Sequence, residues 1–407
     1  MNLRYLLKIV IYYTRDISRI IPRKKNKWVF GEKDRFRDNP KYLFYSVNKY
    51  HPEINAIWIA KDRNDVRLLR MQGYKAYYWS SPIALFHCAT AKVWISGHDV
   101  RNISPIFSEG AFFVNLWHGV SLKRVMWQAP DAFVRDFGVK DKKEMQTSIS
   151  FRIKTYSFMF RKPDLCLTPS DKQKELFFAE MFDIPLDKCV TAVYPRSKFL
   201  IEGKVSALSF IKEMEPTSTL DFVNKISKYR KVYIYMPTYR NDNRDFVKES
   251  GIDWGKLDAL LCDKDSLLIV KFHPNTHFNG NEIFHQYKNI CLYPAESDVY
   301  TILPFMDVLI TDYSSVYSDF LMMNKDIILF VFDFDKYVKG SYELRDFDKY
   351  YIGKKVFDFP QLLKTLSSEE DCHVPKEHYD RLMDFFWSSN NSRVDIVDEI
   401  KKRINFN

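Results

Sequence analysis

Asp312, Ser314 and Ser315 stand together in LITDYSSVYSDF (309–320), where an apolar run gives way to an amphipathic segment. The first turn of a helix leaves backbone N–H groups unpaired and carries partial positive charge, so hydroxyls gathered there suit an anion, above all a phosphate. Plain N-capping by one serine accounts for one hydroxyl without a ligand, and Asp319 alone reads as a first-turn acid that favours the helix dipole. Four further polar motifs follow apolar runs directly: WHG (117–119), YPR (194–196), MPTYR (236–240) and KFHP (271–274). His118 has the residue type of a general base, because imidazole titrates near neutrality and the following Gly119 admits a substrate close to the backbone. Arg196, Lys271 and His273, with Thr238, supply the charge and hydrogen bonds that a phosphoryl group in transfer requires. Taken singly, His118 equally reads as a structural hydrogen-bonding residue, Lys271 as a solvated strand-end cation and Arg196 as half of an internal salt bridge.

The elements that must carry these motifs are short apolar runs at 27–31, 56–60, 92–96, 112–117 and 165–168, separated by helix-like stretches such as 39–50. A second set follows at 231–237, 266–273, 307–311 and 326–332. Continuous apolar strands alternating with helices predict parallel sheets covered on both faces, here two α/β domains in succession. Residues 198–230 read as largely helical, with EPTST (215–219) as a hinge between the sets. Two such domains place ligand-binding loops at the carboxyl ends of their strands, where all five motifs lie. Neither G-x-G-x-x-G nor G-x-x-x-x-G-K-[ST] occurs, which excludes an ordinary dinucleotide dehydrogenase or P-loop kinase.

At 407 residues, two domains are the default. With 46% hydrophobic and 28% charged residues the chain is a folded protein, and its formal charge of +10 favours anionic company. Cys88, Cys166, Cys189, Cys262, Cys291 and Cys372 are scattered singly, as buried thiols of a reducing compartment. His273 and His277 lack a third ligand nearby, and the Asp-x-Asp pairs at 333–335 and 346–348 lack a wider ligand set, so neither a metal nor another cofactor is expected. The opening segment is interrupted by Arg4 and Lys8 and has no cleavage site, so it neither spans a membrane nor directs secretion. Leu3, Leu6, Val10, Tyr13, Ile17 and Ile20 recur at helical spacing among basic residues, which suits either an anionic membrane surface or docking on the chain's own domain.

NLWHGVSLK (115–123), MPTYR, KFHP and SDVYTILPFMDVLITDYSSVYSDF (297–320) resemble the CDP-glycerol glycerophosphotransferases, the teichoic-acid primases and polymerases. That resemblance implies the GT-B fold, two facing Rossmann-like parallel-sheet domains with a central cleft. Residues 1–26 would then be a basic amphipathic helix, 27–203 the acceptor domain, 204–380 the CDP-alditol-binding domain, and 381–407 a closing helix packed back toward the first domain. It implies that His118 is the general base, that His273 assists, and that Gly119, Val120, Ser121 and Leu122 line the substrate. Arg196, Pro237, Thr238, Arg240, Lys271, Phe272, Asp312, Ser314, Ser315 and Asp319 would surround CDP-glycerol. Val193 and Lys198 in VYPRSK, and KGSY at 339–342, depart from the family pattern and bear on which alditol is carried.

The expected reaction moves glycerol phosphate from CDP-glycerol to a polyprenyl-diphosphate-linked saccharide or polyol-phosphate acceptor of a teichoic-acid-like or capsular polymer. It would run at the cytoplasmic face of a bacterial membrane, with the enzyme peripherally attached. A CDP-ribitol transferase and a nucleotide-sugar glycosyltransferase on the same fold are the alternatives within the class. A nucleic-acid binder would need basic residues interleaved with stacking residues on one face, whereas the densest basic cluster here adjoins the apolar leader, so no nucleic-acid partner is expected.

Overall fold

The computed structural model describes residues 3–120, 122, 126–128, 140–156, 161–240, 245–273, 276, 281–340, 346–388 and 394–406. Ser121, Pro274, His277, Ser341 and Tyr342 lie outside the described residues. Two compact units divide the chain: Met1–His118 with Arg124–Arg196 and Phe385–Asn407, and Gly119–Lys123 with Ser197–Asp384.

The first unit is built on strands β1 (Lys24–Gly31), β2 (Asn55–Ala60), β3 (Ala76–Tyr78), β4 (Ala91–Ser96), β5 (Phe112–Asn115), β6 (Leu165–Thr168) and β7 (Cys189–Thr191). They pair in parallel in the order β3-β2-β1-β4-β5-β6-β7. Apolar residues fill both faces of the central strands: Trp28, Val29, Phe30, Ile57, Trp94 and Val114 are all buried. The helices α2 (Asp38–Tyr50), α3 (Arg63–Met71) and α4 (Pro82–Thr90) are crossovers from this sheet. Asp62 caps α3 and Ser81 caps α4, each accepting a first-turn N–H, and Pro82 occupies the first turn where its missing N–H costs nothing.

The second unit holds β8 (Lys231–Met236), β9 (Ser266–Val270), β10 (Ile290–Leu292), β11 (Val308–Thr311), β12 (Asp326–Phe330) and β13 (Lys354–Val356), parallel in the order β10-β9-β8-β11-β12-β13. Its core gathers Tyr233, Leu268, Val270, Ile310, Ile328 and Phe330 with helix residues such as Leu257 and Leu362. In each sheet the strand order reverses once, between β1 and β4 and between β8 and β11. Flanking crossovers diverge there, leaving a crevice at the carboxyl ends of the strands where ligands of such sheets bind.

The amino-terminal helix α1 (Leu3–Thr14) has two apolar faces, which follows from its nearly unbroken apolar sequence. Tyr5, Ile9 and Tyr12 pack on Ile153 and Tyr156. Leu6, Leu7, Val10 and Tyr13, with Ile17 and Ile20 beyond the helix, remain exposed. Docking on its own domain and an outward apolar stripe therefore coexist. Part of the basic charge is spent internally: Arg23 donates to the carbonyls of Cys88, Ala91, Phe107 and Glu109, and Arg19 pairs with Glu109 at 3.1 Å. Among the described residues no helix is long and apolar enough to cross a membrane.

Candidate active site

At the switch point of the first sheet, loops from β1, β4, β5 and β7 converge. Trp117 has φ of 51°, a left-handed conformation that is strained for a bulky residue and that turns the chain sharply after β5. Asn115 Oδ1 accepts the Trp117 N–H at 2.8 Å, and Asn39 Nδ2 donates to the Trp117 carbonyl at 2.9 Å. Asn39 also accepts the Arg196 N–H at 3.2 Å, so one fully buried amide ties the loops after β1, β5 and β7 together.

His118 emerges from this turn half-buried, and its ring stacks on that of His98 with centroids 4.0 Å apart. Its Nδ1 lies 3.3 Å from the Gly97 carbonyl. A carbonyl only accepts, so the proton resides on Nδ1 and Nε2 presents a lone pair. Burial, then the neighbouring His98, pushes the His118 pKa down to about 3, leaving a neutral imidazole at physiological pH. The partner behaves oppositely. Burial works against charge on His98, yet Glu32, whose Oε1 is 3.0 Å from His98 Nδ1, raises its pKa above the ordinary value. Glu32 is fixed in turn by Asn102 Nδ2 at 2.9 Å and by the Gly97 N–H at 3.1 Å. A side chain at Gly97 would meet Glu32 Oε2 at 2.5 Å, so only glycine admits the carboxylate there.

Between the ordinary histidine value of about 6.5 and about 3 the unfolded chain binds the His118 proton more tightly, so acidification across that range weakens the first unit. Glu32→Gln removes the charge that holds the His98 proton, which relieves the repulsion lowering His118. Its acid limb in a pH–rate profile is expected to move toward neutrality, and an unshifted limb would disprove the coupling.

Arg196 is buried in this same unit and its Nη1 meets Asp38 Oδ1 at 2.7 Å. Burial alone would raise the Asp38 pKa, but Arg196 and then His118 bring it below the usual carboxylate range. Arg196 thus sits with His118 and Asp38, whereas the resemblance groups it with residues of the second unit.

The second switch point carries a buried charge network. Arg240 forks onto Asp333 at 2.9 and 2.8 Å and reaches Asp312 Oδ2 at 2.9 Å. Asp312 Oδ1 accepts the Thr238 N–H at 2.8 Å and hydroxyl at 2.6 Å, joining the ends of β8 and β11. Burial opposes charge on Arg240, but the two carboxylates raise its pKa and keep it ionised. Arg240 and Asp312 therefore brace the site from behind, since their charges already face each other.

Ser314 and Ser315 differ from the capping expectation. The helix they open is Val316–Leu321, and Ser315 accepts no capping bond; Ser314 Oγ lies a long 3.5 Å from the Val316 N–H. Ser315 is exposed and Ser314 half-buried. Asp319 is fully buried and accepts from Tyr300 OH at 2.8 Å, inside the fold. Lys271 directs Nζ to the carbonyls of Pro294, at 2.8 Å, and Ala295. Phe272 packs in the core beside Phe246 and Phe284, because successive strand-end residues point to opposite sides. His273 is exposed beside Tyr239, with ring centroids 5.6 Å apart, and Pro237 is buried at the end of β8. Gly119, Val120 and Leu122 are buried. His118 and Arg196 belong to the first unit; His273, Lys271, Thr238 and the serines belong to the second.

For metals, Asp326, Asp371 and His373 bring ligand atoms within 4.8 Å of one another. Asp326 opens β12, at the opposite end of the strand from Asp333, and Lys231 Nζ is already 3.5 Å from it. Contacts of His373 Nδ1 with the carboxylates of Asp326 and Asp371 account for that cluster.

The sequence model of the CDP-Glycerol:Poly(glycerophosphate) glycerophosphotransferase family matches residues 13–402. The chain belongs to this family. Among relatives of this glycerophosphotransferase-family chain, the teichoic acid poly(glycerol phosphate) polymerase of Staphylococcus epidermidis is 26% identical over 92% of the chain and 50% of the relative. A polymerase of the same description from Bacillus spizizenii is 26% identical over 93% of the chain and 91% of the relative. The poly(ribitol-phosphate) polymerase of Bacillus spizizenii is 24% identical over 98% of the chain and 60% of its own length. The chain thus spans about half the length of some of its relatives and nearly all of others. Its backbone is similar to that of the wall teichoic acid polymerase TagF, with TM-score 0.71, 23% identity, and coverage of 99% and 96% of the two chains. The shared fold is a pair of parallel-sheet α/β domains, as the strand pattern predicts.

Proposed function

We propose that this family member transfers glycerol phosphate from CDP-glycerol to a hydroxyl of a lipid-linked saccharide or polyol-phosphate acceptor, releasing CMP. The observation that carries the reading is the His118 imidazole, neutral and with Nε2 left as acceptor by the Gly97 carbonyl. The acceptor oxygen attacks the phosphorus that bears glycerol, its proton passes to His118 Nε2, and the bond to CMP breaks with its electron pair on CMP. Lys271 and the hydroxyls of Thr238, Ser314 and Ser315 at the β9, β8 and β11 ends supply charge and donors suited to the diphosphate.

The family match and the two poly(glycerol phosphate) polymerases support glycerol as the alditol. The ribitol relative gives CDP-ribitol as the second reading. A panel of CDP-glycerol, CDP-ribitol and UDP-sugars, read by release of CMP or UDP, separates them: CMP from CDP-glycerol is expected, and UDP release would overturn the proposal.

We further propose peripheral attachment to an anionic leaflet at the cytoplasmic face through the outward stripe of α1. Leu6→Ser, Val10→Ser and Tyr13→Ser together are expected to lower binding to phosphatidylglycerol vesicles at least roughly tenfold, since each buried apolar side chain is worth about 1 kcal/mol or more. Tyr5, Ile9 and Tyr12 keep the helix docked, so the fold should survive. Unchanged vesicle binding would remove α1 as the anchor.

A further inference from the structure

We infer that the groove between α3, β3 and the start of α4 is an extended binding track for the phosphodiester chain of the acceptor, remote from the hydroxyl that reacts. This rests on the glycerophosphotransferase reading above.

The groove encloses about 630 Å³ and is lined by Arg63, Arg67 and Arg70 of α3, by Tyr77 and Tyr78 of β3, and by Ser81 at the cap of α4. Val66, Met71 and Ile83 complete it, so no carboxylate is in the lining. The acids of α3 turn elsewhere: Asp62 and Asp65 are both within 4 Å of Arg35, and Asp65 is buried. All three arginines are exposed. Arg63 lies over the Tyr78 ring at 4.3 Å and Arg70 over Tyr77 at 5.1 Å, while Arg70 Nε is fixed by the Ala76 carbonyl at 2.8 Å. Stacking orders the guanidinium planes and leaves their remaining N–H edges for an incoming anion. The first-turn N–H groups of α4 add positive potential on the same wall.

The spacing selects a repeating anion over a single one. Arg63, Arg67 and Arg70 fall on one helix face with axial steps of about 6 and 4.5 Å. A polyol phosphodiester places successive phosphates about 6 to 8 Å apart through single bonds of about 1.5 Å. Each phosphate can then meet one guanidinium, and a chain with several repeats gains by multivalency what each exposed pair alone supplies weakly.

The topology also fixes the reach. Because the sheet is parallel, Tyr78 and Ser81 lie at the same carboxyl-terminal end of the strands as His118. β3 and β5 are four strands apart in the order β3-β2-β1-β4-β5, roughly 19 Å at ordinary strand spacing. An acceptor of one or two repeats cannot span that distance, whereas one of about three or more can.

The test compares glycerol-phosphate dimers and octamers as soluble acceptors for the full chain and for Arg63→Gln/Arg67→Gln/Arg70→Gln. In the unaltered protein the octamer is expected to have a KM at least roughly tenfold below that of the dimer, with the advantage shrinking in high salt. The triple variant should raise the octamer KM to the dimer value and leave kcat with the dimer unchanged. Octamer KM values that are equal in both proteins would overturn the track. So would loss of phosphatidylglycerol vesicle binding in the variant with no change toward the octamer, since that assigns the arginines to a membrane. If the unaltered protein releases no CMP from CDP-glycerol, the activity reading fails by itself. Direct titration with the octamer then decides the groove: tighter binding to the unaltered protein than to the variant upholds it, and equal binding rejects it.

Discussion

His118→Ala is expected to lower CMP release from CDP-glycerol by a factor of roughly 10² to 10⁴, the ordinary contribution of a positioned general base. CDP-glycerol binding, measured by titration, should persist, because the imidazole is neutral and contributes no charge to holding a diphosphate. The separation of the two effects matters more than the size of either. Loss of binding together with turnover would make His118 a structural part of the loop after β5, where its Gly97 hydrogen bond and its stacking on His98 already give it a local role. Near-normal turnover would remove it from the chemistry altogether.

The second large effect belongs to Arg240. Its guanidinium and the carboxylates of Asp312 and Asp333 are each almost fully buried, so removing one partner strands charge away from water. Arg240→Ala is expected to cost about 3–5 kcal/mol, the usual consequence of breaking a buried pair. It should appear as a lowered denaturation midpoint of the second unit and as lost activity, since Thr238 is held through Asp312. Arg240→Lys retains charge but not the fork that spans both acids, and should recover part of the stability at most. A denaturation midpoint unchanged in Arg240→Ala would show that the network is solvated and dispensable.

The strands legible in the sequence are the interior ones. KWVF, NAIWIA, AKVWIS and LCLT, and their counterparts in the second unit, are buried on both faces and therefore read as unbroken apolar runs. The strands without such a signal, β3, β7, β10 and β13, are three residues each and form the four sheet edges. An edge strand has one hydrogen-bonding neighbour and partial exposure, so its sequence needs no apolar run, as KKV of β13 illustrates.

The site divides in the same way. His118 was legible because a polar motif directly follows an apolar strand, and the same rule applied to β4 would have found His98. Glu32, Asp38 and Asn39 carry no local signal: their roles arise from contacts with residues 66, 158 and 78 positions away, made only when the sheet folds. The resemblance makes Arg240 and Asp312 substrate contacts, yet their charges face each other. Charge type alone does not distinguish a group that meets a ligand from one that positions its neighbour.

The pH dependence of kcat/KM for CMP release from CDP-glycerol tests the central claim most directly. With burial and the neighbouring His98 keeping the proton off His118, activity should persist well below pH 6.5, with an acid limb toward the lower value of about 3 wherever the protein stays folded. A limb at the ordinary histidine value, or a protein that releases no CMP from CDP-glycerol at any pH, would contradict the account.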